Sequence, residues 1–198
     1  MYLGPPIDDF EILRRLPAEL AQFLHRANGY VAFHGGLHVR GACRAPEWHS
    51  LRAAWDGSHA LARLFPTLDA TDVPFAEDAL GHQFILRGSV VHRLDAEIGE
   101  VESLNVDLAG FDAAVRADPV GYLCLQPLER FRAEGGTLEP GQLLNVYPPY
   151  VFKESADSVS LRAIPALERL EFLAHLAAAI KGLPGGTNVR ILPPRGAV

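Results

Sequence analysis

The sequence predicts an α+β fold, in which a mostly antiparallel central sheet is flanked by helices and followed by a C-terminal strand-helix-strand extension. The period of the apolar residues predicts this class. They recur at helical spacing over residues 16–29, at a period of two over residues 83–107, and at helical spacing again over 108–118 and 165–182. A chain of 198 residues can bury such a core without disulfides or a structural metal.

The first elements along the chain are short. Residues 7–15 place apolar side chains among acids and predict either a short helix or a strand-like lead. In LPAELAQFLHRANG, Pro17 suits the first helical position, Glu19 faces the positive end of the helix dipole, and Asn28-Gly29 supplies a left-handed stop. The next segment, YVAFHGGLHVRGA, alternates apolar residues around two glycines and predicts a hairpin or two edge strands.

The middle of the chain passes from helix to sheet and back. PEWHSLRAAWDGSHALARLF predicts a helical region that begins near Pro46 and breaks after Asp56. The strands that begin at Gln83 are separated by turns at Gly88 and Gly99, as in an antiparallel meander. Helical spacing resumes in LAGFDAAVRA, and the proline that follows predicts a break or a new helix.

The final third is rich in Gly and Pro. Residues 126–165 contain short apolar runs, which predict strands threaded by turns. Pro165 can then begin a helix. Its predicted apolar face consists of Leu167, Leu170, Leu173, Ala174, Ala177 and Ile180. TNVRILPP, residues 187–194, predicts a last short strand. We therefore expect a domain at 1–124 and an extension at 125–198 that packs on the same domain.

Composition and charge argue against several classes of protein. The formal charge of −6 and a pI near 5.7 disfavour nucleic-acid binding, for which a basic stripe is expected. Cys43 and Cys124 have no CxxC and no His at metal spacing, so both are predicted to be buried free thiols in a reducing compartment. The first fifteen residues do not resemble a signal peptide, and His175 and Lys181 interrupt the longest apolar stretch. We expect a cytoplasmic protein with no membrane partner.

The acidic pair in VPFAEDALGHQF, Glu77 and Asp78, has two interpretations. Adjacent residues of an extended chain point to opposite sides, so the two carboxyl groups would not share one substrate easily. Asp often precedes a turn, and Gly81 follows closely. The favoured interpretation is therefore turn and cap chemistry, and the alternative is a surface contact with a partner.

Four histidines suggest a metal hypothesis: His34, His38, His82 and His92. His34 and His38 would share a face of one strand, but no carboxylate or Cys stands at a spacing that completes a closed site. There is also no GxSxG, Walker loop or GxGxxG pattern. We therefore predict no catalytic residue, no metal and no cofactor, and a small-ligand or metal-dependent enzyme is the least favoured function.

Four segments in order resemble the SUKH superfamily: LPAELAQFLHRANG, VPFAEDALGHQFIL, VVHRLDAE and LAGFDAAVRA. Members typically open with a Leu-Pro helix that ends in Asn-Gly, enter the sheet through a Pro-Phe-Ala-x-Asp turn, and close with a Phe-containing helix. The resemblance covers residues 10–124, and the glycine cluster usual in the family is reduced here to ALG. It implies a mostly antiparallel sheet with helices on one side and a structural role for residues 74–78.

The resemblance also implies a function without enzyme activity. Many bacterial members are thought to be immunity proteins that neutralise toxins, often nucleases, whereas fungal relatives act as regulatory interaction proteins. We therefore expect a protein partner, either a cognate toxin or an endogenous partner of a regulatory or scaffolding module. Because hairpin rims are exposed, the predicted partner-binding residues are the acids Glu77, Asp78, Asp95, Glu97, Glu100 and Glu102.

Overall fold

The computed structural model describes residues 1–189 and has the α+β fold that the sequence predicts. A seven-stranded antiparallel sheet follows the order of the chain from its first strand to its seventh. Its strands are β1 (Tyr2–Leu3), β2 (Tyr30–Ala32), β3 (Leu37–Val39), β4 (Val73–Asp78), β5 (Gln83–Arg87), β6 (Val90–Asp95) and β7 (Glu100–Val106). A separate antiparallel pair consists of β8 (Gln142–Tyr147) and β9 (Ser160–Pro165).

The helices are mostly short and several have a carboxylate or hydroxyl cap. They are α1 (Phe10–Arg15), α2 (Ala18–Arg26), α3 (Leu51–Asp56), α4 (Leu61–Leu64), α5 (Leu108–Ala117), α6 (Pro119–Tyr122), α7 (Gln126–Ala133) and α8 (Ala166–Ile180). The side chains of Asp9, Ser50, Asp107 and Asp118 accept a backbone N–H in the first turn of α1, α3, α5 and α6. Gly29 has a φ of +75° after α2, as the predicted stop requires.

The sheet separates two apolar clusters. Phe84 and Leu86 belong to one cluster and Ile85 to the other, because successive residues of a strand face opposite sides. The first cluster includes residues of α1, α2, α3 and α5, and the second includes residues of α4 and α8. Helices therefore cover both faces of the sheet, and the expectation of helices on one side is wrong.

The residues after 124 share their core with the residues before them. Leu128, Leu144 and Val146 belong to the first cluster, and the buried face of α8 belongs to the second. The backbone N–H of Leu144 also donates to the carbonyl of Ala79, at 2.8 Å. The extension thus packs at the end of the sheet where the β4–β5 and β6–β7 turns lie.

Two local predictions are wrong. Residues 73–78 form the wholly buried strand β4 rather than a turn, because their acids find buried partners. Residues 126–133 form helix α7, whose first turn contains a proline, rather than part of a strand. The hairpin predicted for residues 30–42 is confirmed, since β2 and β3 pair as antiparallel neighbours, and both strands lie inside the sheet because the two-residue β1 is its edge. The predicted last strand falls outside the described residues from position 190, and residues 187–189 have no regular structure.

The long helix α8 is buried over a wider arc than its apolar stripe predicts. Leu170, Leu173, Ala174 and Ala177 are buried as expected, and Arg169 and Leu176 are buried with them. Leu167 is exposed and Ile180 is half-buried. No helix of the described part of the chain has the length and apolar character needed to span a bilayer.

Candidate functional site

A buried polar network lies across three neighbouring strands. In the register of the sheet, His38 on β3 is opposite Glu77 on β4, and Glu77 is opposite Gln83 on β5. Directly opposed residues share one face, so the pairing alone brings these three side chains together. Arg40 follows β3 and completes the group, and all four side chains are buried.

Arg40 and Glu77 form the ionic centre of this network. The Arg40 Nη2 donates to Oε2 of Glu77 and to Oε1 of Gln83, both at 2.7 Å, and its Nη1 donates to the carbonyl of Pro74 at 3.0 Å. Gln83 Nε2 donates in turn to Glu77 Oε2 at 3.0 Å and to the Gly81 carbonyl at 2.8 Å. Burial alone would raise the pKa of Glu77, but the Arg40 charge and the hydrogen bonds with His38 and Gln83 outweigh it and lower the pKa to about 2.

Two imidazole rings extend the network away from Glu77. His38 Nδ1 lies 2.8 Å from Glu77 Oε1, and His38 Nε2 lies 2.9 Å from Nδ1 of His49. His49 Nε2 lies 3.1 Å from the carbonyl of Asn28. The Glu77 carboxylate at one end of this chain of contacts and the Asn28 carbonyl at the other can only accept a hydrogen bond. The three contacts therefore need three N–H protons on the two rings, whereas two neutral imidazoles carry two. Burial lowers the pKa of both rings, that of His49 to about 4, and so opposes taking up the third proton.

The rings are enclosed by aromatic side chains. The Trp48 ring centroid lies 5.1 Å from that of His38 and 5.2 Å from that of His49, and Tyr2 meets His49 edge-on at 5.4 Å. His49 is fully buried and Glu77 is 3% exposed. A substrate would need access to these atoms, and their burial denies it. The arrangement therefore suits a structural role, in which it holds β3, β4 and β5 in register.

Asp78 performs the turn and cap role that the sequence predicts. Its Oδ1 accepts the backbone N–H groups of Leu80, Gly81 and His82 at 2.9–3.0 Å. Gly81 has a φ of +96°, which completes the turn into β5. Burial raises the pKa of the Asp78 carboxyl group, and its Oδ2 has no hydrogen-bond partner among the described residues.

Three of the six acids predicted to bind a partner are buried, which corrects the prediction for them. Glu77 belongs to the polar network and Asp78 caps the turn. The carboxylate of Glu97 accepts the backbone N–H of Tyr150 at 3.0 Å and that of Val151 at 2.8 Å. The hairpin rim is therefore covered at Glu97 by the extension, a contact between distant parts of the chain that no local pattern could reveal.

The other three predicted acids lie on an accessible surface. Glu100 and Glu102 are exposed and Asp95 is partly exposed. Asp95 is directly opposite Glu100 in the β6–β7 register, so these residues and Glu102, two positions along, share one face. The carboxylates therefore form a short row along the outer end of the sheet.

Exposed apolar side chains lie on the two segments that Glu97 joins. Ile98, next to Glu97, is 36% exposed, and the two residues that Glu97 holds, Tyr150 and Val151, are 44% and 39% exposed. Hairpin and extension thus build one surface, called here the hairpin–extension surface. It consists of Asp95, Ile98, Glu100, Glu102, Tyr150 and Val151.

A small cavity of about 90 Å³ adjoins Asp95 and Tyr150 of this surface. It is lined by Leu80, His82, Asp95, Glu97, Tyr150, Arg169 and Leu173. Arg169 is buried, donates from Nη1 to Oδ1 of Asn145 at 2.9 Å and lies 4.0 Å from Glu97. Burial lowers the pKa of Arg169 to about 10, so its guanidinium stays charged at neutral pH. This buried cation supports the carboxylate that joins hairpin and extension.

The four histidines of the metal hypothesis have different surroundings. His38 contacts Glu77 and His49, His82 Nδ1 accepts the backbone N–H of Ala96, and His34 is exposed on the β2–β3 turn. His92 Nδ1 lies 3.2 Å from the carbonyl of Val90. Over residues 1–189, no group of three His, Cys, Asp or Glu side chains is arranged to hold a metal ion.

The two cysteines are free thiols, as predicted, but only one of them is fully buried. Cys43 is buried and Cys124 is half-buried. Burial raises the pKa of the Cys43 thiol to about 11 and also raises that of Cys124. Neither thiol is therefore activated as a nucleophile.

Comparison with known proteins identifies a similar fold and no family. No protein family model matches the chain, and no curated protein matches it. The crystal structure of Atu4351 from Agrobacterium tumefaciens is similar, with a TM-score of 0.55 over 88% of this chain and 84% of that chain. The two sequences are 12% identical, so the similarity concerns the fold alone.

Proposed function

We propose that the protein is a non-enzymatic binding domain of the SUKH type, which acts as a bacterial immunity protein and neutralises a basic toxin such as a nuclease. The observation that supports this proposal is the hairpin–extension surface. Three exposed apolar side chains and three accessible carboxylates lie there, on the two segments that Glu97 joins. The more specific role, that of an immunity protein, is the one that the SUKH-like segments imply.

The composition of this surface suits protein recognition. Protein interfaces combine an apolar centre, in which aromatic residues are enriched, with a polar rim. Tyr150 is a candidate anchor, because it offers a large contact area with few rotatable bonds. Its backbone is fixed by the hydrogen bond from its N–H to Glu97. The side chain is therefore presented from a rigid segment, which lowers the entropy lost on binding.

The charge of the surface and of the chain selects the partner. The chain has a formal charge of −6, and Glu100 is exposed without a salt-bridge partner among the described residues. A nuclease needs a basic cleft to hold phosphate groups, and an acidic inhibitor is attracted to such a cleft. Complementary charge of this kind accelerates association and makes it sensitive to salt.

Binding to the product of a neighbouring toxin-like gene tests the proposal. The protein is immobilised and the dissociation constant is measured at low and moderate salt. We expect nanomolar binding that weakens with salt, and rescue of cells that express the toxin. The Glu100→Arg variant should weaken binding at least tenfold, whereas Glu139→Arg, the same charge change at an exposed site outside the surface, should not.

Two results would contradict the immunity role. One is an absence of binding together with no rescue of toxin-expressing cells. The other is repeated capture of one endogenous protein in its place, which would favour the regulatory or scaffolding module. Equal effects of Glu100→Arg and Glu139→Arg would show that net charge, and not this surface, directs binding.

A further inference from the structure

The strand β7 is a free edge of the main sheet. It pairs with β6 on one side, and it is the last strand in the order of the sheet. Within residues 1–189, no backbone group of β7 forms a hydrogen bond to a residue outside this pair of strands. The opposite edge, β1, has two residues, whereas β7 has seven. Of the two edges, β7 is thus the one long enough to pair with another chain.

The regular part of this edge is its first half. Residues 100–103 pair with β6 in an unbroken register, which shifts beyond them. Asn105 has a φ of +55°, and its N–H is taken by the hydroxyl of Ser103. An added strand would therefore pair along residues 100–103, beside the acidic row.

The charges along this edge determine which chain can be added. Asp95 and Glu100 are directly opposed like charges, an unfavourable cross-strand pair. Glu102 lies on the same face and is paired with Arg93 at 2.6 Å. A basic side chain on an added strand would lie next to Glu100 and relieve this repulsion. A second copy of this chain would bring further acids to the same edge, so the charge row disfavours self-association.

We propose that β7 accepts an extended basic segment of the partner as an eighth strand of the sheet. The backbone of residues 100–103 supplies the hydrogen bonds. Lys or Arg side chains at alternate positions of the segment meet Glu100 and its acidic neighbours on one face. This inference rests on the proposed function, because it specifies how the partner binds to the hairpin side of the hairpin–extension surface.

A pair of synthetic peptides tests strand addition directly. One is a six-residue peptide in which Lys alternates with Thr, and the other has the same sequence with alternate backbone nitrogens methylated. Methylation keeps the charge but removes the strand donors. We expect the first peptide to bind the full chain and the methylated one to bind at least tenfold more weakly. The Glu100→Gln variant should reduce binding of the first peptide severalfold, and Glu139→Gln should not.

The outcomes separate this inference from the proposed function. Equal affinity for both peptides would show binding by charge alone and would overturn strand addition, as would no binding up to millimolar peptide. If either result were found and the toxin still bound, the immunity role would be retained, and the toxin would bind in another way than by strand addition. Strand addition of the peptide without toxin binding would support the edge site and refute the immunity role.

Discussion

Glu77 and Glu100 are both carboxylates on sheet strands, but the molecule uses them in opposite ways. Glu77 lies between Arg40, His38 and Gln83, where its oxygens are fully engaged inside the protein. Glu100 is exposed at the start of the edge strand, directly opposite another acid. Glu77 therefore has a structural role beside a buried cation, whereas Glu100, which has no salt-bridge partner among the described residues, is available to a partner.

The largest expected effect is on stability at the buried site. Glu77→Gln keeps the shape but leaves the buried Arg40 without a counter-charge, so we expect the free energy of unfolding to fall by about 3–5 kcal/mol. Glu100→Gln, the same chemical change on the surface, should alter it by less than about 0.5 kcal/mol. Urea denaturation of both variants measures this difference. Similar free energies of unfolding would contradict the distinction between a structural Glu77 and a surface Glu100.

The turn at Asp78 should show the next largest effect. Asp78→Ala removes the acceptor of three backbone N–H groups and is expected to lower the free energy of unfolding by roughly 1–3 kcal/mol. Asp78→Asn keeps an acceptor oxygen at the same place and should cost less, because burial already disfavours the charged form. If the two variants lost the same stability in chemical denaturation, the backbone contacts of Oδ1 would not be the cause.

The histidines of the network should make the protein less stable as the pH falls from about 6.5 to about 4. The folded pKa of His49 is lowered to about 4 from an ordinary value of 6.5, so the unfolded chain binds a proton there that the folded chain does not. The corresponding loss at Glu77 falls between about 4.5 and 2. Urea midpoints at pH 7.5 and 5 should differ less in His49→Gln than in the unsubstituted protein.

The exposed His25 provides the control for this pH dependence. A His25→Gln variant should keep the full difference between the two midpoints. A difference that survives unchanged in His49→Gln would mean that another group dominates the titration.

The smallest stability effect is expected at the hairpin–extension surface. Ile98→Ser and Val151→Ser replace partly exposed side chains, so the free energy of unfolding should change by less than about 1 kcal/mol. The same variants should weaken partner binding measurably, since they remove apolar contact area from the proposed interface. A large loss of stability with unchanged binding would reverse the roles assigned to the two regions.

Segments whose apolar residues recur at a regular period could be predicted from the sequence. Segments whose structure depends on contacts with distant residues could not. Helices α2, α5 and α8 and the meander of β5, β6 and β7 follow apolar periods that the fold retains. The strand β4 is not predicted, because two adjacent acids are typical of a turn. Their burial in a strand depends on Arg40 and His38, which contact Glu77 only in the folded protein. The helix α7 contains only two large apolar side chains, Leu128 and Phe131, and the prolines and glycines around it favour an interpretation as strands and turns.

The candidate site divides in the same way. The exposure of Glu100 and Glu102 is predicted correctly from their place on a hairpin rim. The burial of Glu97 depends on residues more than fifty positions later in the chain. Arg169 on the buried face of α8 likewise depends on Asn145 and Glu97, which no spacing within the helix reveals.

The central claim is that the hairpin–extension surface, and not the buried network, binds the partner. Hydrogen–deuterium exchange of the protein alone and in its toxin complex tests this claim most directly. We expect new protection over residues 96–103 and 147–152, and no change over 73–83, where β4 and its turn are already buried. Protection confined to α2 and α5, with residues 96–103 unchanged, would contradict the account.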